Sequence, residues 1–330
     1  MNTRDLQAFV AVVECGSIVA AAERLHLTQP GLTRRIQSLE STLALALLDR
    51  QEKPLKPTAA GREVYLLARN VLGAVDELLA VASPDSEPEG ELRIGVPPFL
   101  SDLALEQPLD RLRGTYAKLT LRVTAGWSPR LLQSVELAQV DAAVVLMPGD
   151  IALPEALVST RLAFMPTAVV AARSLGLPKT PVTLEYLAQH PWVLNQDGCG
   201  MRSALSRALA RAGLPFNIAV EAFGSDLQLS LVARQLGIGI VSPEVLARSP
   251  FRDVLQVIDV ADFESGVEVW LVHHPLPGRL VRPIALLRDS LAEVLRAHGM
   301  AAADSFERVD GVAISRQPGK NGRGSWSHSR

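Results

Sequence analysis

Residues 17–40, SIVAAAERLHLTQPGLTRRIQSLE, limit more than any other stretch what this chain can fold into. Just before them Leu6, Phe9, Val10 and Val13 recur at i, i+3, i+4 and i+7, the stripe of a helix with one buried face. Gly16 ends that helix, because glycine accepts the left-handed backbone in which helices often stop. Ser17 fits the next N-cap, where its hydroxyl accepts an orphan backbone N–H. Ala20, Ala21 and Ala22 allow close helix contact, Leu25 continues the buried face, and His26 and Leu27 turn the chain. Thr28 caps a third helix, with Pro30 in its first turn, where N–H groups lack intrahelical partners anyway. Leu32, Ile36 and Leu39 face inward; Gln29, Thr33, Arg34 and Gln37 stay outside. Any amphipathic helix pair shows such stripes. Here the outer side chains are amides, a hydroxyl and a guanidinium, which pair with adenine and guanine edges or hold phosphates. The stretch reads as a helix-turn-helix whose second helix fits a DNA major groove.

Arg50, Lys53 and Lys56 follow in a Pro-flanked basic segment suited to a wing against the DNA backbone, with a solvated loop as the plainer alternative. The candidate DNA contacts are Ser17, Thr28, Gln29, Pro30, Thr33, Arg34, Gln37, Arg50, Lys53 and Lys56, in a unit spanning residues 1–58. Residues 59–81 then form a helix without internal proline. Val64, Leu67, Val71, Ala74, Leu78 and Val81 follow spacings of 3, 4, 3, 4, 3, a heptad seam, while Arg62, Glu63, Arg69, Asp76 and Glu77 lie off it. The stripe packs against a copy of itself or against its own domain. A pair would set two recognition helices on successive major grooves of an inverted repeat. Residues 82–90, ASPDSEPEG, read as a hinge.

These residues bring the chain close to a known family. It resembles the LysR-type transcriptional regulators over nearly its full length. The match is carried by Leu6, Phe9, Gly16-Ser17, Ala21-Ala22, Leu25, Thr28-Gln29-Pro30, Leu32, Arg34, Ile36, Leu39-Glu40, Leu43, Leu47, Arg50, Thr58 and Gly61. Ala44 stands where the family usually has Gly, Leu48 where it usually has Phe, and Thr33 where it usually has Ser. The resemblance implies a sequence-specific DNA-binding regulator, assembled as a dimer or tetramer and modulated by a small-molecule effector.

From Glu91 short β-rich runs alternate with helical periods. Strands are expected at 92–96, 119–124 and 142–146, with helices at 103–113 and 129–138; this βαβαβ rhythm implies a parallel sheet. A second unit has strands near 168–171, 192–194, 218–221 and 239–241; a strand at 267–272 and a helix at 282–297 follow. In the family that last part returns to the first unit. The expected fold is therefore α/β with an N-terminal all-α winged helix-turn-helix, and a two-lobed effector domain at 91–300 like a periplasmic binding protein. Lobe I takes about 91–160 and 266–298, and lobe II about 161–265. Such a cleft takes ligands at strand C-termini and helix N-termini. That directs attention to Pro98, Phe99, Ser101, Trp127, Ser128, Met147, Gln196, Cys199, Ser225 and Asp226. Phe99, Trp127 and Met147 suit an apolar portion of a ligand; Ser101, Ser128, Gln196 and Ser225 suit an oxygen-rich portion. The three serines also read as plain N-caps, and Asp226 disfavours an anion beside it.

Composition sets bounds. The net charge of −2 carries no global nucleic-acid signature, and residues 1–62 hold eight Lys/Arg against six Asp/Glu, so affinity has to come from charge placement and pairing. Two cysteines, Cys15 and Cys199, make no disulfide framework. His273-His274, adjacent on an expected strand, point to opposite faces and share no metal. The GIGI run at 237–240 shapes a turn before a strand and is no dinucleotide fingerprint. No nucleophile–base pair converges, so neither catalysis nor a cofactor is expected. No signal peptide or run near the roughly 18 apolar residues of a membrane span is present, which points to the cytoplasm. Expected partners are double-stranded DNA with dyad symmetry, further copies of the chain and a small molecule; RNA polymerase stays open as another, and a membrane is not expected. Residues 301–330, acid-free and basic from 311, read as a disordered tail. The rival reading is a cytoplasmic small-molecule binding protein or enzyme with a non-functional helix-turn-helix.

Overall fold

The computed structural model describes residues 2–52, 54–82, 87–263, 266–302, 306–309 and 312–315. Helix α1 (Thr3–Cys15) opens on a capping box: the Asn2 side chain accepts the Asp5 N–H, and the Asp5 carboxylate accepts the Asn2 N–H. Gly16 ends it at φ +62°. Helix α2 (Ile18–Arg24) is capped by Ser17, whose hydroxyl accepts the Ala20 N–H. Helix α3 (Gln29–Leu43) is capped by Thr28, which accepts the Gly31 N–H. Strands β1 (Leu48–Asp49) and β2 (Lys56–Pro57) pair antiparallel as a wing. Helix α4 (Ala59–Ala82) follows, and Tyr65 and Ala68 on it join Phe9, Val12, Leu32, Ile36 and Leu39 in one core.

Strand β3 (Gly90–Val96), helices α5 (Pro98–Ala104) and α6 (Glu106–Thr115), strand β4 (Leu119–Ala125), helix α7 (Ser128–Glu136) and strands β5 (Ala142–Met147) and β6 (Val158–Pro166) come next. The chain then builds β7 (Ala168–Ala172), α8 (Leu184–Ala188), β8 (Trp192–Asn195), α9 (Gly200–Arg211), β9 (Ile218–Ala222), α10 (Ser225–Ala233), β10 (Gly239–Val241), α11 (Pro243–Arg248) and β11 (Leu255–Ile258). It closes with β12 (Gly266–His273), α12 (Val281–Ala297), β13 (Ala301–Ala302) and the pair β14 (Phe306–Val309) and β15 (Val312–Ser315). The first lobe is one six-stranded sheet in the order β13-β6-β12-β5-β3-β4. The second lobe has the order β10-β7-β11 and a separate parallel pair β8-β9.

Four expectations change. The first sheet is mixed: β3, β4 and β5 are parallel, but β12 runs antiparallel to both β5 and β6. A strand leaving for the second lobe and its neighbour returning from it must run in opposite senses. The expected helix 103–113 is two helices. A continuous helix would put Pro108 against the carbonyl of Ala104; breaking at Leu105 leaves the proline in a first turn. This also places Pro98 and Phe99 inside α5, not in a loop. The crossing between lobes falls after Pro166 and not near 160, because β6 belongs to the first sheet. In the expected tail, Ala301–Ala302 extend that sheet and Phe306–Val309 pair with Val312–Ser315; its other residues, 303–305, 310–311 and 316–330, lie outside the described residues.

Candidate nucleic-acid interface and effector cleft

The recognition helix is fixed by its apolar face. Leu32, Ile36 and Leu39 are fully buried, at about 1.5–3 kcal/mol each, so α3 cannot rotate without losing them. The opposite face presents Gln29, Pro30, Arg34 and Gln37 to solvent. Arg34 makes no ion pair among the described residues and is free to engage a base or a phosphate. Thr33 is only half outside, and its hydroxyl donates to the Gln29 carbonyl at 2.9 Å, which leaves it as an acceptor. The wing is less basic than its sequence. Arg50 donates to the Glu40 carboxylate at 3.0 Å, while the other Glu40 oxygen accepts the Leu47 N–H at 2.9 Å. Lys56 is paired with Glu52 at 2.8 Å, which raises its ammonium pKa. Lys53 lies outside the described residues.

On α4 the apolar stripe splits. Val64 turns onto the core of its own domain, correcting its place in the seam. Leu67 is 64% exposed and Leu78 69%; Val71, Ala74 and Leu79 are exposed beside them. The Val81 side chain lies outside the described set. Gly73 permits a close approach on another face, since a Cβ there would lie 2.5 Å from the Leu276 carbonyl oxygen.

A polar junction joins this region to the first lobe, and sequence reading missed it. Asp141, 5% exposed, accepts Arg93 through Nε and Nη2 at 3.1 and 2.8 Å, the Arg93 backbone N–H at 2.8 Å, and Arg69 at 3.0 Å. Burial pushes the Asp141 carboxyl up, but Arg93 and then Arg69 outweigh that and hold it below the usual carboxylate range. On the other side Glu14 receives Arg24 at 2.7 Å, Arg69 at 3.4 Å and the Tyr65 hydroxyl at 3.3 Å. The available signal was Arg93, a charge inside an apolar strand. A cavity of about 1030 Å³ opens here, away from every residue expected to hold an effector.

The expected effector residues divide. Trp127 ends a loop of the first lobe; its Nε1 lies 3.5 Å from Gln196 Oε1 of the second, and its ring meets Phe223 edge-on at 6.0 Å. Phe99 packs half-buried on the core, and Ser225 and Asp226 open α10 behind Gly224, near Phe223. Ser128 and Met147 are corrected. Ser128 is buried, and its hydroxyl donates to the Leu146 carbonyl and accepts the Leu146 N–H; Met147 sits in the core with Val140 and Leu157. Nor are Ser128 and Ser225 N-caps: Trp127 and Gly224 hold those positions. The Ser101 side chain lies outside the described set. Cys199 holds the N-cap position of α9 without a side-chain cap bond, buried in the core, where burial pushes its thiol pKa up. His274 falls just past β12, not on it. Reading by residue missed Asn195, whose amide bonds Gln228 and whose carbonyl accepts the Gly224 N–H, fixing the loop before α10. Among the described residues no His/Cys/Asp/Glu group is arranged for a metal, and no helix is long and apolar enough to cross a membrane.

Comparison with known proteins agrees with this architecture. Residues 3–62 match the family model for bacterial regulatory helix-turn-helix proteins of the lysR family, and residues 85–296 that for the LysR substrate binding domain. The HTH-type transcriptional regulator CzcR of Bacillus cereus is 33% identical over 242 residues, covering 73% of this chain and 80% of CzcR. The uncharacterized HTH-type transcriptional regulator YeiE of Escherichia coli (strain K12) is 27% identical over 279 residues, 83% of this chain and 92% of YeiE. Among solved structures, a variant of full-length OxyR from Pseudomonas aeruginosa superposes with a TM-score of 0.73 at 19% identity, covering 88% of this chain and 94% of that one. ArgP from Mycobacterium tuberculosis gives 0.66 at 23% identity, covering 88% and 97%. Two family models matched in order, over a helix-turn-helix and a two-lobed α/β body, establish that the chain belongs to the LysR family of DNA-binding transcriptional regulators.

Proposed function

We propose that two copies pair along the exposed stripe of α4 and lay their α3 helices on successive major grooves of an inverted-repeat operator. The observation behind this is the pairing of a locked apolar face on α3 with an outer face of Gln29, Arg34 and Gln37. Arg34 supplies a contact to guanine or phosphate, Gln29 and Gln37 read base edges, and Thr28 and Ser17 set the helix starts against the backbone. Arg50 acts chiefly by tying the wing to Glu40, and Lys56 meets phosphate in competition with Glu52. A small molecule enters between the lobes beside Trp127, Gln196 and Phe223, with an aromatic or acyl portion on the rings. Pairs of copies associate further into a tetramer where an operator offers two sites. The protein acts beside its DNA, in the cytoplasm, without catalysing a reaction.

The test is fluorescence anisotropy of the full chain on duplexes from upstream of its own gene, across several salt concentrations. Affinity should fall steeply with salt. Arg34→Ala should cost about 1–3 kcal/mol and relax sequence preference if Arg34 reads a base, or flatten the salt slope by about one unit if it holds a phosphate. Unchanged binding at every salt concentration removes Arg34 from the interface.

A further inference from the structure

We propose that α7 is a rod that carries closure of the effector cleft to the DNA-reading domain, and that Arg69 is the residue that grips its far end. The two ends of this nine-residue helix lie at the two places that matter. Its span is roughly 13 Å, at about 1.5 Å per residue. At its start, Trp127 touches Gln196 and Phe223 of the second lobe, and the Ser128 hydroxyl pins the helix to both backbone groups of Leu146 in β5. Just past its end, Ala138 is buried in the core of the helix-turn-helix domain, although it belongs to the first lobe. Ala138 holds a left-handed backbone at φ +53°, which an alanine adopts only where its surroundings impose it. Its carbonyl accepts Arg69 Nη1 at 2.7 Å. Arg69 Nη2 donates to Asp141, the first residue past that turn to carry a charge, and Nη1 also reaches Glu14 on α1.

This contact is ionic and shared among several elements. The ion chain runs from Arg24 through Glu14, Arg69 and Arg93 to Asp141, crossing from α2 to the start of β5. Beside it lies the cavity of about 1030 Å³ and not a close-packed apolar seal. Ser128 and the buried Leu131, Leu132 and Val135 fix α7 to β5, so a displacement of Trp127 by a ligand moves helix and sheet together, and Ala138 at the far end carries that movement to the domain that holds α3. What this does to DNA binding rests on the regulator reading above; the mechanical coupling does not.

The coupling is tested by changing one end and reading the other. Hydrogen exchange on the full-length chain is followed at residues 10–16, the end of α1, in Trp127→Ala, Arg69→Gln and the double variant. Trp127→Ala should speed exchange there by several-fold, Arg69→Gln by on the order of tenfold, and Trp127→Ala should add nothing once Arg69 is gone. Phe251→Ala, in a second-lobe core cluster that contains no residue of α7, should leave residues 10–16 unchanged and so reports general loosening if it does not. Arg69→Lys keeps the charge without the fork and should fall between wild type and Arg69→Gln; it serves if Arg69→Gln does not fold. Exchange at residues 10–16 that ignores Trp127→Ala, or that responds equally with and without Arg69, overturns the proposal. In parallel, Trp127→Ala should shift affinity for the upstream duplex only while Arg69 is present. A chain that binds no duplex defeats the regulator reading and leaves the exchange result standing.

Discussion

Ala44 ends α3 with φ +51° and ψ +36°, its N–H reaching the carbonyls of Glu40 and Ser41. An alanine in that conformation costs about 1–2 kcal/mol relative to what glycine tolerates. Ala44 is exposed, so its methyl has little packing to lose. Ala44→Gly should raise stability by about 1 kcal/mol, less what glycine adds to the freedom of the unfolded chain. Equilibrium urea unfolding checks this: the midpoint should rise at constant slope, and a lower midpoint would show that the methyl makes contacts worth more than the strain. Ala44 was legible because its departure from the family pattern is local. The same holds for Gly16, Ser17 and Thr28, whose caps join residues at most four apart. Asp141 and Arg69 were not legible, since 72 residues separate them and neither carries a periodic signal. Ser128 misled for a related reason. A serine before a proline at a helix start looks like a cap, whereas its hydroxyl binds Leu146, 18 residues further on.

Whole elements announce themselves through periodicity, and α4 shows how far that goes. Its 3, 4, 3, 4 spacing locates the helix and its stripe, but not which residues of the stripe serve which neighbour. Val64 is taken by the helix-turn-helix core because α1 lies alongside the first turns of α4, while Leu67, Val71 and Leu78 are left in solvent. Three large apolar side chains in a row on one exposed helix face are costly unless covered, at about 1.5–3 kcal/mol for each one buried. Leu78→Glu should therefore convert the paired chain to a single subunit, since it places two like charges across a seam meant to be dry. Sedimentation velocity at micromolar concentration reads this directly, with circular dichroism unchanged because Leu78 makes no core contact in its own chain. A variant that sediments like the parent places the interface elsewhere. Most strand positions were equally legible from apolar runs, although no strand was expected at β6 or β11; strand direction was not legible, since nothing in the composition of β12 says that it returns antiparallel between β5 and β6.

At the scale of the molecule, two lobes meet where α9 begins on β5. Gly200 lies so close to Leu146 that a Cβ would stand 2.5 Å from its carbonyl oxygen and 2.9 Å from its Cβ. Asp150, beyond β5, binds Arg207 and Arg211 of α9 along the same contact. Residues 195–202, NQDGCGMR, are glycine-rich and run into α9, but a packing distance between lobes is set by both surfaces and leaves no mark in either alone. Gly200→Ala brings two opposing effects. Gly200 is the first residue of α9, so alanine gains less than the about 1 kcal/mol of a helix interior, and overpacking against backbone costs typically about 1–3 kcal/mol, occasionally more. Neither contacting group is the end of a flexible side chain, so relief requires the lobes to part, and the second effect should win. The thermal midpoint should fall. Trp127 should move away from Gln196 and Phe223, and its emission should shift to the red when the Trp127→Phe spectrum is subtracted. A parting of the lobes also pulls on α7, so exchange at residues 10–16 should rise in the same variant. A lower midpoint with an unmoved Trp127 spectrum would mean that strain is absorbed within α9, and the lobes would then not be separable at this contact.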